Sequence, residues 1–252
     1  MSYEIPQKAF TSGARVILYT VGERLVVAKR YAKPDRKFAH VFLDFLAWLF
    51  HDPILLCTDC PAGGENQEAK KLKTLRENGI SVPAVLYEAK DYFVMEHTGE
   101  NLENILSGSA DEGRRQFYVK QALKLLRALH EKNFAHGGAQ IKNFTYLDGK
   151  IYMIDFEEVI PPDHIERFKL RDLLIFAMSL EAIGLSIDPE RLCEAYGGPS
   201  GKFVYEEMKK ILFKYKFLKF LGMRILRPIR MNDVRAALAL IEKAEKKRAN
   251  GN

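Results

Sequence analysis

Cysteine is scarce in this chain, three in 252 residues, and an odd, small number excludes a disulfide framework. No uninterrupted apolar run approaches the ~20 residues that a membrane-spanning helix needs. The N-terminus lacks the basic, apolar and small-residue succession of a secretory leader, so the expected location is cytoplasmic. Internal repeats and low-complexity tracts are also missing, which excludes repeat architectures. So is any Gly-x-Gly-x-x-Gly loop of the kind that cradles phosphates.

What remains is the composition of a packed protein. Hydrophobic residues make up 47% and charged residues 29%, enough for a sizeable core in one large domain or two modest lobes. Charge is unevenly placed. From Lys202 onward there are 14 Lys/Arg against 5 Asp/Glu, and before it 25 against 28. A basic excess confined to one segment points to a local anionic partner.

Residues 14–21 and 24–31 read as two strands around Gly22-Glu23, rich in β-branched and aromatic residues. A basic connection then leads to a helix over 38–50, where Phe38, Val41, Phe42, Phe45, Leu46 and Leu49 recur at helical spacing. A Pro-Gly-Gly loop precedes a second helix over 66–78, stopped by Gly79. Residues 82–87 and 92–96 read as strands, 101–107 and 115–132 as helices, and 144–154 as a hairpin turning at Asp148-Gly149. After Pro161-Pro162 the pattern is helical, with breaks near 197–201 and at Pro228. Strands first and helices afterwards predict an α+β fold. Its sheet-rich lobe spans 1–97, its helical lobe 98–200, and a basic helical extension 201–252.

Two segments carry open alternatives. Cys57 and Cys60 have knuckle spacing without a second pair, so they are ordinary loop cysteines or half of a shared metal or redox site. Residues 208–232 hold eight Lys/Arg and no acid, with apolar positions 208, 211, 212, 215 and 218 in a helical stripe. That stripe suits an anionic membrane surface contacted peripherally, RNA phosphate, or packing on the helical lobe.

The chemistry-bearing pattern lies near the middle. His-Gly-Gly-Ala-Gln-Ile-Lys-Asn at 136–143 is followed, across the hairpin, by Ile-Asp-Phe-Glu at 154–157. Asn143 and Asp155 offer oxygen atoms, the donors that Mg²⁺ takes. These stretches, with Lys-Arg-Tyr-x-x-Pro at 29–34 and Glu-Ala-Lys-Lys-Leu at 68–72, resemble the atypical small kinases over residues 12–180. That group includes the kinase subunit of the KEOPS tRNA-modification complex, the RIO kinases and bacterial lipopolysaccharide-core kinases. The resemblance implies a bilobal protein-kinase-like fold binding ATP and Mg²⁺. By position, it implies that Lys29 contacts the nucleotide phosphates and Glu68 holds that lysine. Gly13 and Ala14 would form a short turn at the nucleotide, and Glu96 would end the strand before the hinge. Asn143 and Asp155 would bind the metal, and Asp172 would tie down the catalytic loop.

One position departs from the pattern. Gly138 stands where such loops carry a catalytic aspartate, five residues before the asparagine. His136, Gln140 and Glu157, with Glu158 beside it, are the candidates to replace it. Glutamine can orient a hydroxyl or water but cannot take its proton. The expected activity is phosphoryl transfer to a protein, lipopolysaccharide or small-molecule acceptor, or ATP hydrolysis. The alternatives are a pseudokinase scaffold and an RNA-associated factor.

Overall fold

The computed structural model describes residues 3–5, 10, 14–31, 52, 67–109, 111–185, 187–214, 236 and 239–246. The expected helix 38–50, the turn residue Gly13, the pair Cys57 and Cys60, and residues 215–235 lie outside them.

A four-stranded antiparallel sheet forms the N-terminal region, in the order β1-β2-β4-β3. Its strands are β1 (Val16–Val21), β2 (Arg24–Arg30), β3 (Val85–Glu88) and β4 (Tyr92–Glu96). Gly22 supplies the φ of +62° at the β1–β2 turn, the left-handed first position that two-residue hairpins favour. Strand alternation sorts the two faces. Val26, Ala28, Tyr92 and Val94 pack with Ile5 and Phe10 on one side. On the other side Phe93 and Met95 join Leu72 and Leu75 of helix α1 (Gln67–Glu77) in the main core. Pairing of Val16 with Lys29 and Leu18 with Val27 puts these four residues on that same second face.

The remainder is helical, apart from a small second sheet of β5 (Glu100–Asn101), β6 (Phe144–Leu147) and β7 (Lys150–Met153). Helix α2 (Leu102–Gly108) starts at Asn101, whose side chain accepts from the Asn104 N–H. Helix α3 (Glu112–Glu131) starts at Asp111, which accepts from Gly113 and Arg114. Such caps are worth about 1 kcal/mol each. Asn133, at φ +60°, ends α3 in the left-handed conformation. Helices α4 (Ile165–Ala182), α5 (Pro189–Gly197) and α6 (Gly201–Lys214) follow, and residues 239–246 are helical. The α+β order read from the sequence is the observed one. No described helix is long and apolar enough to cross a membrane.

The start of the basic stripe faces inward. Met208, Ile211 and Leu212 belong to the main core. Lys209 and Lys210 pair with Glu206 and Glu207 at 2.6 and 2.5 Å, and Lys214 reaches Asp52 at 2.9 Å. The rest of the basic stripe, residues 215–232, lies outside those described.

Candidate active site

Four elements converge on one lysine. Lys29 sits on β2 with its side chain only 6% exposed. Its ammonium lies 2.8 Å from Glu68 of α1, 2.6 Å from Asp155 and 2.6 Å from Glu157. Arg15, just before β1, reaches the same Glu157 carboxylate. Val16 and Leu18 extend from β1 on the face of Lys29, and both are more than half exposed. An open apolar surface beside a buried ammonium suits a flat heteroaromatic ring attached to phosphate.

The electrostatics follow from one ammonium facing three carboxylates. Burial works to strip the charge from Lys29, but Glu68, Asp155 and Glu157 outweigh it and hold the ammonium above its ordinary value. Burial pushes the Glu68 carboxyl up to about 7 against the pull of Lys29. Asp155 behaves oppositely: burial disfavours its charge, yet Lys29 draws it down to about 2. Glu68 is the most buried of the three, so the loss of water weighs most on its charge.

The carboxylate oxygens of Glu68, Asp155 and Glu157 lie within 4.8 Å of one another. Asn143 approaches from the short 3-10 turn Ile141–Asn143. Its Nδ2 donates to the Gly138 carbonyl at 2.9 Å, and its backbone carbonyl accepts from the Ile154 N–H at 2.9 Å. The side-chain nitrogen is thus committed to the loop, which leaves oxygen as the end a cation would take. An all-oxygen set fits a hard divalent ion such as Mg²⁺.

The loop 136–143 is held from beneath by α4. Asp172, fully buried, accepts from the backbone N–H groups of His136 at 2.7 Å and Gly137 at 2.8 Å. It also meets His130 at 3.1 Å. Burial opposes the Asp172 charge, and the His130 contact leads the interactions that keep its pKa below the ordinary value. His136 is buried, with Nε2 on the Ile154 carbonyl at 2.9 Å and Nδ1 taking the Gly138 N–H at 3.3 Å. Only the neutral Nε2–H tautomer satisfies both contacts. Burial likewise lowers its pKa. His136 is a strut between two loops, with both ring nitrogens engaged by backbone groups.

The other expected residues divide. Lys29, Glu68, Asp155 and Glu157 come together. Gln140 is half-buried at the start of the 3-10 turn, with its N–H on the Gly138 carbonyl at 2.7 Å. Glu96 ends β4, but its carboxylate accepts from the Ala84 N–H at 2.9 Å and meets Arg76 at 3.4 Å. Ala14 is half-buried just before β1.

Sequence reasoning missed Arg15, Lys71 and the apolar pair Val16 and Leu18. Lys71 lies one helical turn after Glu68 and donates to the carbonyls of Ala135 at 3.3 Å and Glu158 at 3.2 Å. Helix α1 therefore grips Lys29 and both loops, and the i, i+3 spacing of its two charges was the available signal. A cavity of about 420 Å³ opens beside Lys71, lined by α1 and residues 156–165, and neither Lys29 nor Asp155 lines it.

A family model for the RIO domain matches residues 64–175, the span from α1 to the middle of α4. An uncharacterised protein of Haemophilus influenzae is 31% identical over 127 residues, covering 50% of this chain and 52% of that protein. The KEOPS complex subunit Bud32 of Pyrococcus abyssi is 32% identical over 93 residues, covering 36% of this chain and 42% of that protein. The chain spans about half the length of the curated relatives it matches. With the sheet-then-helix order and the residues gathered around Lys29, these matches support a likeness to the atypical protein-kinase-like superfamily.

Proposed function

We propose that the protein binds ATP with Mg²⁺ against the Lys29 face of the sheet and transfers or hydrolyses its terminal phosphoryl group. The observation that carries this reading is the buried Lys29 ammonium, held at hydrogen-bond distance by Glu68 and Asp155 from two other segments of the chain. An ammonium kept charged and desolvated interacts strongly with phosphate oxygens. Glu68 fixes its position, Arg15 supplies a second cation, and Asn143 and Asp155 would hold the metal. Bound Mg²⁺ would neutralise charge gathering on the phosphates, the main electrostatic task in phosphoryl transfer. The acceptor class, whether protein, glycolipid, small molecule or water, is left to the assay.

A thermal shift tests the shared core. At a nucleotide concentration 100-fold above Kd the folded state gains about 2.7 kcal/mol, a rise in Tm of roughly 5–10 °C. The expected result is such a rise with ATP and Mg²⁺ in the wild type and none in Asp155→Ala. No shift in the wild type at any nucleotide concentration sinks the reading. A second reading, a nucleotide-binding scaffold without turnover, is favoured by Gly138. ATP labelled at the γ-phosphate separates the two: label transfer or phosphate release that Lys29→Ala abolishes means an enzyme.

A further inference from the structure

Resting on that phosphotransfer reading, we infer that Glu158 supplies the carboxylate absent from position 138 and is the catalytic residue that takes the acceptor's proton.

The two glycines of the loop open toward it. A Cβ on Gly138 would lie 3.5 Å from Glu158 Oε1. A Cβ on Gly137, which stands at φ +93°, would lie 2.8 Å from both Glu158 Cβ and Oε2. The side chain of Glu158 thus occupies the space that a side chain at 137 would claim, and lies at contact distance from where one at 138 would begin. An aspartate at 138 would carry its oxygens two bonds beyond that Cβ, near enough to Glu158 for the two charges to repel strongly. Two carboxylates so close cannot both ionise. Gly138 and Glu158 are therefore complementary: the carboxylate reaches the catalytic loop from the segment after Asp155 instead of from the loop itself.

The carboxylate is also held. Arg171 of α4 meets Oε1 at 3.3 Å, and Lys71 of α1 fixes the Glu158 carbonyl at 3.2 Å. Arg171 precedes Asp172, which pins His136 and Gly137, so one turn of one helix sets both the loop and the carboxylate against it. A carboxylate has about four lone-pair sites, and Arg171 does not exhaust them. The side chain is 17% exposed, enough for a hydroxyl to reach it. Glu157, its neighbour, is engaged with Lys29 and Arg15 on the nucleotide side, so the adjacent glutamates divide the work.

In the step proposed, Glu158 accepts the proton of an acceptor hydroxyl or water. The acceptor oxygen bonds to the γ-phosphorus as the bond from that phosphorus to the β–γ bridging oxygen breaks. The bridging oxygen keeps the electron pair and leaves as part of the nucleoside diphosphate. A positioned base is worth about 10²–10⁴ in rate.

The test compares wild type, Glu158→Gln, Gly138→Asp and the double variant Gly138→Asp/Glu158→Gln. The probe is γ-labelled ATP with Mg²⁺, followed as free phosphate and as label on the chain, alongside the nucleotide thermal shift. Glutamine keeps the shape and a contact to Arg171, so folding and the shift should survive. The expected result is a loss of at least 100-fold in turnover for Glu158→Gln with nucleotide affinity unchanged within about threefold. Gly138→Asp should help only when Glu158 has been neutralised, raising the double variant at least tenfold above Glu158→Gln. Wild-type turnover in Glu158→Gln overturns the inference and leaves the function standing, as does a gain from Gly138→Asp with Glu158 intact. A wild type that shows the thermal shift but neither releases phosphate nor acquires label overturns the phosphotransfer reading and this inference together.

Discussion

Single residues in this protein are chosen as much for what they lack as for what they carry. Gly99, at φ +89°, would place a Cβ 1.9 Å from the Tyr146 carbonyl oxygen, whereas Gly149, at φ +83°, would meet nothing within 4 Å. Gly149→Ala should therefore lose only the backbone preference of about 1–2 kcal/mol. Gly99→Ala adds a backbone clash, and its loss should reach roughly 3–4 kcal/mol. Urea unfolding of the two variants measures the difference; equal losses would mean that the β5–β6 pair moves aside without cost. His136 gives a pH dependence at the same scale. Its folded pKa lies below the ordinary 6.5 because burial disfavours the imidazolium. The unfolded chain then binds the proton more readily, so this residue stabilises the fold above 6.5 and loses that contribution as pH falls below it. Glu68, held up to about 7, gains stability over the same range as pH falls, so the His136 contribution is read as a difference: between pH 7.5 and 5 the wild type should lose stability relative to His136→Gln. Parallel profiles would remove His136 as the cause.

At the scale of elements, α4 acts as the base plate of the site. Its Asp172 satisfies two buried N–H groups of the loop and meets His130. Asp172→Ala leaves those donors in a dry interior, and the expected loss is about 3–5 kcal/mol. His136 and Gly137 bond different oxygens of Asp172, so Asp172→Asn keeps one acceptor but sets its NH2 against the other donor, and it should lose about as much. Chemical denaturation checks this, and an Asn variant as stable as wild type would show that one of the two donors does not need the contact. The elements themselves were legible where the pattern is local. The helix read at 66–78 runs Gln67–Glu77, and the hairpin read at 144–154 turns at Asp148 and Gly149 with φ of +48° and +83°, because apolar period and turn chemistry are written in adjacent residues. The carboxylates around Lys29 are a different matter. Their roles follow from contacts across 39 and 126 positions of chain, so only a resemblance to known motifs could pair them beforehand. Glu96 illustrates the limit: its place at the end of β4 was readable, but the direction of its carboxylate, toward Ala84 and Arg76, is set by β3 and α1. Arg15 and Glu158 were harder still, since nothing in neighbouring residues tells which of several charges a fold will turn inward.

Across the whole molecule, one buried carboxylate joins three distant parts of the chain. Asp52, with a side chain 1% exposed, receives Arg167 of α4 at 2.8 and 2.7 Å and Lys214, at the end of α6, at 2.9 Å. The partners differ in their access to water: Arg167 is 32% exposed and Lys214 38%. That asymmetry fixes the order of costs. Removing the carboxylate with Asp52→Ala leaves two cations that can turn outward into solvent, where exposed charges lose little, so the expected loss is about 1–2 kcal/mol. Arg167→Met keeps the carboxylate and takes away its bidentate partner in a place water does not reach. Lys214 still meets Asp52, so its cost should fall below the roughly 3–5 kcal/mol of a buried pair broken outright. The double variant Asp52→Ala/Arg167→Met should then be more stable than Arg167→Met alone, because the carboxylate that had lost its bidentate partner has gone. Thermal and urea unfolding of the four proteins form a double-mutant cycle. If the double variant is instead the least stable, Asp52 reaches water in solution and the clamp is an ordinary surface ion pair; if it recovers, α4 is anchored at Arg167 by the same kind of buried carboxylate contact that Asp172 makes with the loop.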